Sequence, residues 1–229
     1  MFNSPMRPER ADDLIDLLAA APGSRVIDLG CGDGRFLLRM AARQAILGTG
    51  IDHAEDLIEE ANRNAPAQPS ARPLTFVCAD AAGYWDGLEA SSVDVMVCIG
   101  GEFILGGCRA LLQRAKAKLS SQGRILLGTV YWKQPPPADY LALMNGENPH
   151  FDLLTTVTLA REEGYLPLAV FRSSDDEWDA FESYHAQKRY QAALQSNQPA
   201  LIERAWRWQQ GYLQWGMNTM GFCFRHYSQ

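Results

Sequence analysis

Eight residues, Asp28-Leu29-Gly30-Cys31-Gly32-Asp33-Gly34-Arg35, constrain this chain more tightly than any other stretch. They follow Arg25-Val26-Ile27, an apolar run that reads as a buried strand, and precede 36–42, which reads as a helix. A strand that breaks into alternating glycines and then opens a helix lays backbone against a ligand. Glycine is needed wherever φ must be positive or a Cβ would block that approach. A dinucleotide site wants G-x-G-x-x-G, with pyrophosphate on the helix N-terminus. That register requires glycine at position 35, where Arg35 stands. The observed spacing is Asp-x-Gly-x-Gly-x-Gly, and an acid ahead of the first glycine repels pyrophosphate and suits a cationic ligand.

Hydrophobic periodicity places this turn in an alternating order. Helices are predicted over 8–20, 34–44, 54–64 and 108–119, and strands over 25–29, 47–52, 74–79, 93–99 and 124–132. Such alternation gives an α/β fold, a parallel sheet with helices on both faces. After Pro135-Pro136-Pro137 the pattern changes. Residues 138–164 read as helical and 166–172 as a strand. Ser174-Asp175-Asp176-Glu177 has the capping-box pattern that opens a helix. About forty mainly helical residues follow, and 221–227 alternates as a last strand. The expectation is one domain over 1–229, a cofactor-binding core at 1–132 with helical additions at 133–165 and 174–215 covering an acceptor site.

Bulk properties exclude several classes. The composition is 47% hydrophobic and 21% charged, ordinary for a globular protein. No apolar run approaches the roughly 20 residues that span a bilayer. The first residues lack the blocks of a secretory signal, so the cytoplasm is expected. Cys31, Cys78, Cys98, Cys108 and Cys223 include no C-x-x-C pair, so neither a metal nor a disulfide framework is expected. A net charge of −6 argues against nucleic acid, and the basic group at 109–118 reads as a solvated helix face.

At this point the chain resembles a family. Val26-Ile27-Asp28-Leu29-Gly30-Cys31-Gly32-Asp33-Gly34 is similar to the first motif of class I S-adenosylmethionine-dependent methyltransferases. Gly50-Ile51-Asp52, Cys78-Ala79-Asp80-Ala81 and Val97-Cys98-Ile99-Gly100 match the next three motifs in order. The resemblance implies a Rossmann-like seven-stranded sheet, mostly parallel with the last strand antiparallel. It also implies S-adenosyl-L-methionine as cofactor, S-adenosyl-L-homocysteine as product, and no metal. By the same resemblance Asp52 takes the two ribose hydroxyls, Asp80 meets the adenine amino group, and the segment at Cys98 passes the donor's methionine part. The implied cofactor set is Asp28, Gly30, Cys31, Gly32, Gly34, Asp52, His53, Asp80, Ala81 and Cys98. Asp52 and Asp80 also have a plainer reading as helix caps. The second half resembles bacterial small-molecule-type methyltransferases of unassigned substrate, through 128–136, 176–182 and 212–216.

Methyl transfer from a sulfonium is an in-line displacement, so positioning is the protein's main task. A base matters only if the acceptor must lose a proton. Glu102, three residues past a strand end in a flexible apolar setting, is the candidate, either catalytic or acceptor-binding. Tyr131 is a second catalytic candidate. Tyr131 and Trp132 close a strand and are expected to face the acceptor pocket, with His185, and more remotely His150, from the helical additions. The late aromatics Trp178, Phe181, Tyr184, Tyr190, Trp206, Trp208, Tyr212 and Trp215 read as a helical core or as the wall of a cap. The leading partner is a small-molecule acceptor, with no membrane. The alternatives are a nucleic-acid or protein methyltransferase and a non-catalytic S-adenosylmethionine-binding protein. Against the first, the Asn/Asp-Pro-Pro-aromatic motif of such enzymes is replaced by Ile99-Gly100-Gly101-Glu102.

Overall fold

The computed structural model describes residues 2–65, 74–144, 151–196 and 198–229. Helix α1 (Pro8–Leu18) precedes β1 (Arg25–Leu29), α2 (Arg35–Arg43), β2 (Leu47–Asp52), α3 (Glu55–Asn64) and β3 (Thr75–Cys78). Then come α4 (Ala81–Asp86), β4 (Val93–Ile99), α5 (Cys108–Lys118) and β5 (Leu119–Trp132). Next are α6 (Ala138–Leu143), α7 (Leu153–Glu162), β6 (Leu166–Arg172), α8 (Asp175–Ser196) and α9 (Pro199–Gly211). A π turn at Tyr212–Gly216 and the short α10 (Met217–Thr219) lead into β7 (Met220–Ser228). No helix among the described residues is long and apolar enough to cross a membrane.

The strands form one seven-stranded sheet in the order β3-β2-β1-β4-β5-β7-β6. β1 to β5 pair in parallel, and β7 runs antiparallel between β5 and β6. The expected α/β class, strand count and antiparallel last strand are all present. Side chains alternate across each strand, so one strand feeds two cores. On one face Val26, Val95 and Leu126 pack against α1 and α2 through Leu14, Ile15, Leu18, Leu37 and Met40. On the other, Ile27, Met96 and Leu127 pack against α5 through Leu111, Leu112 and Ala115.

Departures from the expected elements have local causes. β5 begins directly at Leu119 because α5 stops at Lys118 and the chain stays paired with β4 across a register shift between Val93 and Val95. Gly123 permits the irregularity, since a Cβ there would lie 2.6 Å from Leu119 Cβ. Of the helical stretch expected at 138–164, the described residues form α6 and α7. His150 lies outside the described residues. The short α4 and the 3₁₀ turn at Glu102–Leu105 hold too few residues to show a period.

Two sets of contacts tie the first face together. Arg39 donates bidentately to Asp12, at 2.6 and 2.7 Å, and Arg43 pairs with Asp16, which clamps α2 to α1. The expected capping box forms at α8: Ser174 N–H donates to Glu177 Oε2 at 2.7 Å and Glu177 N–H to Ser174 Oγ at 3.2 Å. The free oxygen, Glu177 Oε1, accepts from the Arg7 amide at 3.0 Å, and Ser173 Oγ donates to the Pro5 carbonyl at 2.6 Å. The N-terminal arm, 2–7, is thereby fastened to the start of α8. Trp178 and Tyr212 of the helices after β6 join the same core as Phe222 and Phe224 of β7.

Candidate active site

The chain runs outward from β1 to β2 and β3, then returns to place β4 on the other side of β1. At such a switch point the loops leave in opposite directions and open a crevice beyond the carboxyl ends of the strands. The glycine turn sits there. Gly30 and Cys31 donate their amides to the Ile51 carbonyl at 2.8 and 3.1 Å, hanging the turn on β2. Gly30, Gly32 and Gly34 have φ of +73, +55 and +74°, in the left-handed region. Their side-chain spaces differ. A Cβ on Gly34 would lie 2.6 Å from the Phe76 ring, whereas one on Gly32 would meet nothing within 4 Å. Gly34 is thus a packing requirement and Gly32 leaves a bare backbone edge. Gly100, at the end of β4, also has positive φ (+79°) and open space beside it.

Asp52, at the end of β2, fixes the shape of the turn. Its Oδ2 accepts from the Gly32 amide at 2.9 Å and its Oδ1 from the Ala54 amide at 3.0 Å. Asp28, at the end of β1, is buried, and no hydrogen bond among the described residues reaches its carboxylate. Burial, and then the charge of Asp52, push it up to about 7. A buried carboxylate without a donor is expensive, and a cation placed beside it relieves the cost. Asp28 and Asp52 line one pocket with the glycine turn and Ile99. Phe2, Asn3 and Ser4 of the arm form another of its walls. No periodicity or motif marked the arm in the sequence.

The other expected cofactor residues are placed as follows. Asp80 caps α4, accepting from Ala82 N at 3.3 Å and Gly83 N at 2.9 Å, which satisfies its plainer reading. Ala81 is buried as the first residue of α4. His53 is largely exposed, with Nδ1 3.4 Å from Asp52 Oδ1. Cys31 packs its thiol toward β2, where a Cβ on Gly50 would lie 2.9 Å away. The Cys98 side chain is fully buried in the second core, and burial pushes both thiols up.

The expected acceptor wall does not assemble as one surface. Tyr131 and Trp132 are adjacent in β5 and both are buried, so strand alternation sends them to opposite faces. The Trp132 ring meets Tyr140 edge-on at 6.2 Å. The Tyr131 ring lies over Gly221, where a Cβ would come within 2.7 Å of it. His185 meets Phe181 at a tilt, 4.4 Å between ring centres, and Tyr184 edge-on at 5.4 Å, and burial, with Arg189 and Lys188, lowers its pKa. Glu102 opens the 3₁₀ turn after β4; burial pushes its carboxyl up, while backbone hydrogen bonding and the charge of Arg225 pull it down. Arg225 went unnoticed in the sequence. It is fully buried on β7, donates to Thr129 Oγ1 at 2.5 Å and Cys108 Sγ at 3.8 Å, and leaves Nε without a partner among the described residues. The signal was available: an arginine directly after the apolar run Phe222-Cys223-Phe224 in a strand that both cores cover.

Comparison with known proteins agrees with this geometry. The methyltransferase domain family matches residues 26–123. The uncharacterized protein YjhP of Escherichia coli is 30% identical over 185 residues, covering 80% of this chain and 73% of YjhP. The methyltransferase ungE' of Aspergillus campestris is 32% identical over 169 residues, 69% of this chain and 46% of that protein. The crystal structure of a methyltransferase from Thiobacillus denitrificans in complex with S-adenosyl-L-homocysteine superposes with a TM-score of 0.86 at 26% identity, covering 99% of this chain and 93% of that one. The chain belongs to the class I S-adenosylmethionine-dependent methyltransferases.

The two glycines separate in a stability measurement. Gly32→Ala costs only left-handed strain, about 1–2 kcal/mol. Gly34→Ala adds overpacking against Phe76 and is expected to lose about 1–3 kcal/mol more in urea unfolding. Equal losses contradict the assignment of Gly34 to packing.

Proposed function

We propose that this enzyme binds S-adenosyl-L-methionine in the crevice beyond β1, β2 and β4 and passes its methyl group to a small-molecule acceptor. The observation that carries this reading is Asp28, a buried carboxylate lacking a donor, beside a bare glycine edge. S-Adenosylmethionine is cationic, and its ammonium and sulfonium suit that carboxylate. Asp52, already oriented by two backbone amides, keeps lone pairs for a ribose diol. The turn at Gly30–Gly34 and Gly100 leave room for close backbone approach, and Asp80 and His53 border the adenosine end. Bound there, the cofactor supplies a methyl group already activated for displacement.

The chain's own residues then position and shield. Such alignment is worth about 7–11 kcal/mol without any acid or base. Glu102, whose carboxyl burial pushes up despite the opposing charge of Arg225, takes the acceptor's proton where one must leave. The start of α8 covers the acceptor side and, with the arm, excludes water. The complex of the Thiobacillus protein supports the choice of cofactor, and the net charge of −6 supports a small molecule over a nucleic-acid substrate. The setting we infer is the cytoplasm.

The direct test is release of S-adenosyl-L-homocysteine from donor with a mixture of metabolites; no release points to a binding protein. Calorimetry with S-adenosyl-L-homocysteine tests the site. Asp52→Ala is expected to weaken binding about tenfold or more, and unchanged affinity removes the ribose assignment. A bound ammonium holds Asp28 as the carboxylate, so binding favours its deprotonated form. With Asp28 near 7 in the free protein, affinity rises about tenfold from pH 6 to pH 8 and then levels. Asp28→Asn flattens that rise. A flat profile in the unaltered protein separates Asp28 from the cation.

A further inference from the structure

A second cavity, about 740 Å³, lies between α2, the N-terminal arm and the start of α8. That size is within the range of small-molecule sites. It shares Phe2, Ser4, Met6 and Arg35 with the pocket at the glycine turn, so the arm is a common wall between the two. Its apolar lining is Phe2, Met6, Leu38, Ala42, Ala180 and Phe181. Leu38 and Ala42 are one helical turn apart on α2, so they present a continuous stripe.

The polar lining is one-sided. Arg7, Arg35 and Arg39 reach the cavity, beside the neutral Ser4 and Asn64, and among the described residues Glu177 is the only carboxylate that lines it. Both oxygens of Glu177 are already occupied, by the amides of Ser174 and Arg7. The acids that pair with the arginines, Asp176, Asp33, Glu60 and Asp12, stand outside the lining. Those arginine side chains are 57, 43 and 37% exposed; the exposed pairs of Arg7 and Arg35 are weakly held, whereas Arg39 keeps its bidentate pair with Asp12. Guanidinium groups keep further donors, in a fork that matches carboxylate and phosphate oxygens. The cavity wall therefore offers apolar surface and three guanidinium groups, and, Glu177 aside, its remaining polar groups, Ser4 and Asn64, are neutral.

We propose that this cavity binds the body of the acceptor, an apolar molecule carrying one acidic group, carboxylate or phosphate, while its reacting atom extends past the shared wall into the crevice. This rests on the methyl-transfer reading of the adjoining crevice. The apolar body lies along Leu38, Ala42 and Phe181, and the acid meets the arginines. Because Phe2, Ser4 and Met6 belong to both pockets, donor and acceptor order the same arm, and each strengthens the other's binding.

Calorimetry on the full chain tests the proposal, with decanoate, decyl phosphate and decylamine as probes, each with and without saturating S-adenosyl-L-homocysteine. At least one of the two anions is expected to bind about tenfold or more tightly than decylamine, and more tightly still with S-adenosyl-L-homocysteine present. The better anion identifies the acidic group. Ala42→Glu and Ala180→Glu, both at exposed positions that fold readily, are expected to lower anion affinity about tenfold while leaving S-adenosyl-L-homocysteine affinity unchanged. Decylamine binding as well as the anions, no anion binding, or anion binding indifferent to both substitutions overturns the proposal. Loss of S-adenosyl-L-homocysteine binding in the unaltered protein is a different failure, that of the methyl-transfer reading.

Discussion

Asp52 joins the two halves of the crevice. Its carboxylate accepts the Gly32 amide from the turn after β1 and the Ala54 amide at the start of α3. Together with the Gly30 and Cys31 amides on the Ile51 carbonyl, those bonds hold a turn whose positive-φ glycines contribute no side chains. They also hold a negative charge close to Asp28, and that neighbour, with burial, keeps Asp28 near neutrality in the free protein. The crevice is therefore electrostatically strained toward a cation before any ligand arrives. An anionic pyrophosphate meets the opposite field in the same place.

The rest of the molecule shapes what surrounds that crevice. The sheet order puts β1 and β4 side by side and so creates the opening. The arm then closes one side, and its fastening is economical: one carboxylate, Glu177, caps α8 and also holds the Arg7 amide. Movement of α8 and movement of the arm are coupled through that residue. The helices after β6 are in turn joined to the sheet through Trp178, Tyr212 and the phenylalanines of β7.

The strand ends that border the crevice were legible in the sequence, because there a short motif carries both geometry and charge. Asp28, the glycines and Asp52 all appear where that logic places them, and the capping box at Ser174 forms as written. The acceptor half was less legible, since it depends on which elements meet in space. Tyr131 and Trp132 look equivalent in sequence, yet strand alternation separates them. The arm spans six residues with no period, and its partners lie about 170 positions away. Asp80 shows the limit of motif reasoning: the residue is where it was expected, with its oxygens engaged in capping α4. Arg225 was visible as an anomaly but had no motif to give it meaning.

The most direct test of the central claim is a crystal structure of the protein with S-adenosyl-L-homocysteine. The account predicts the ligand's amino group within hydrogen-bonding distance of Asp28 and its ribose hydroxyls on Asp52, beside the Gly32 backbone. A ligand bound elsewhere, or one lying in the crevice with no cationic group at Asp28, contradicts it.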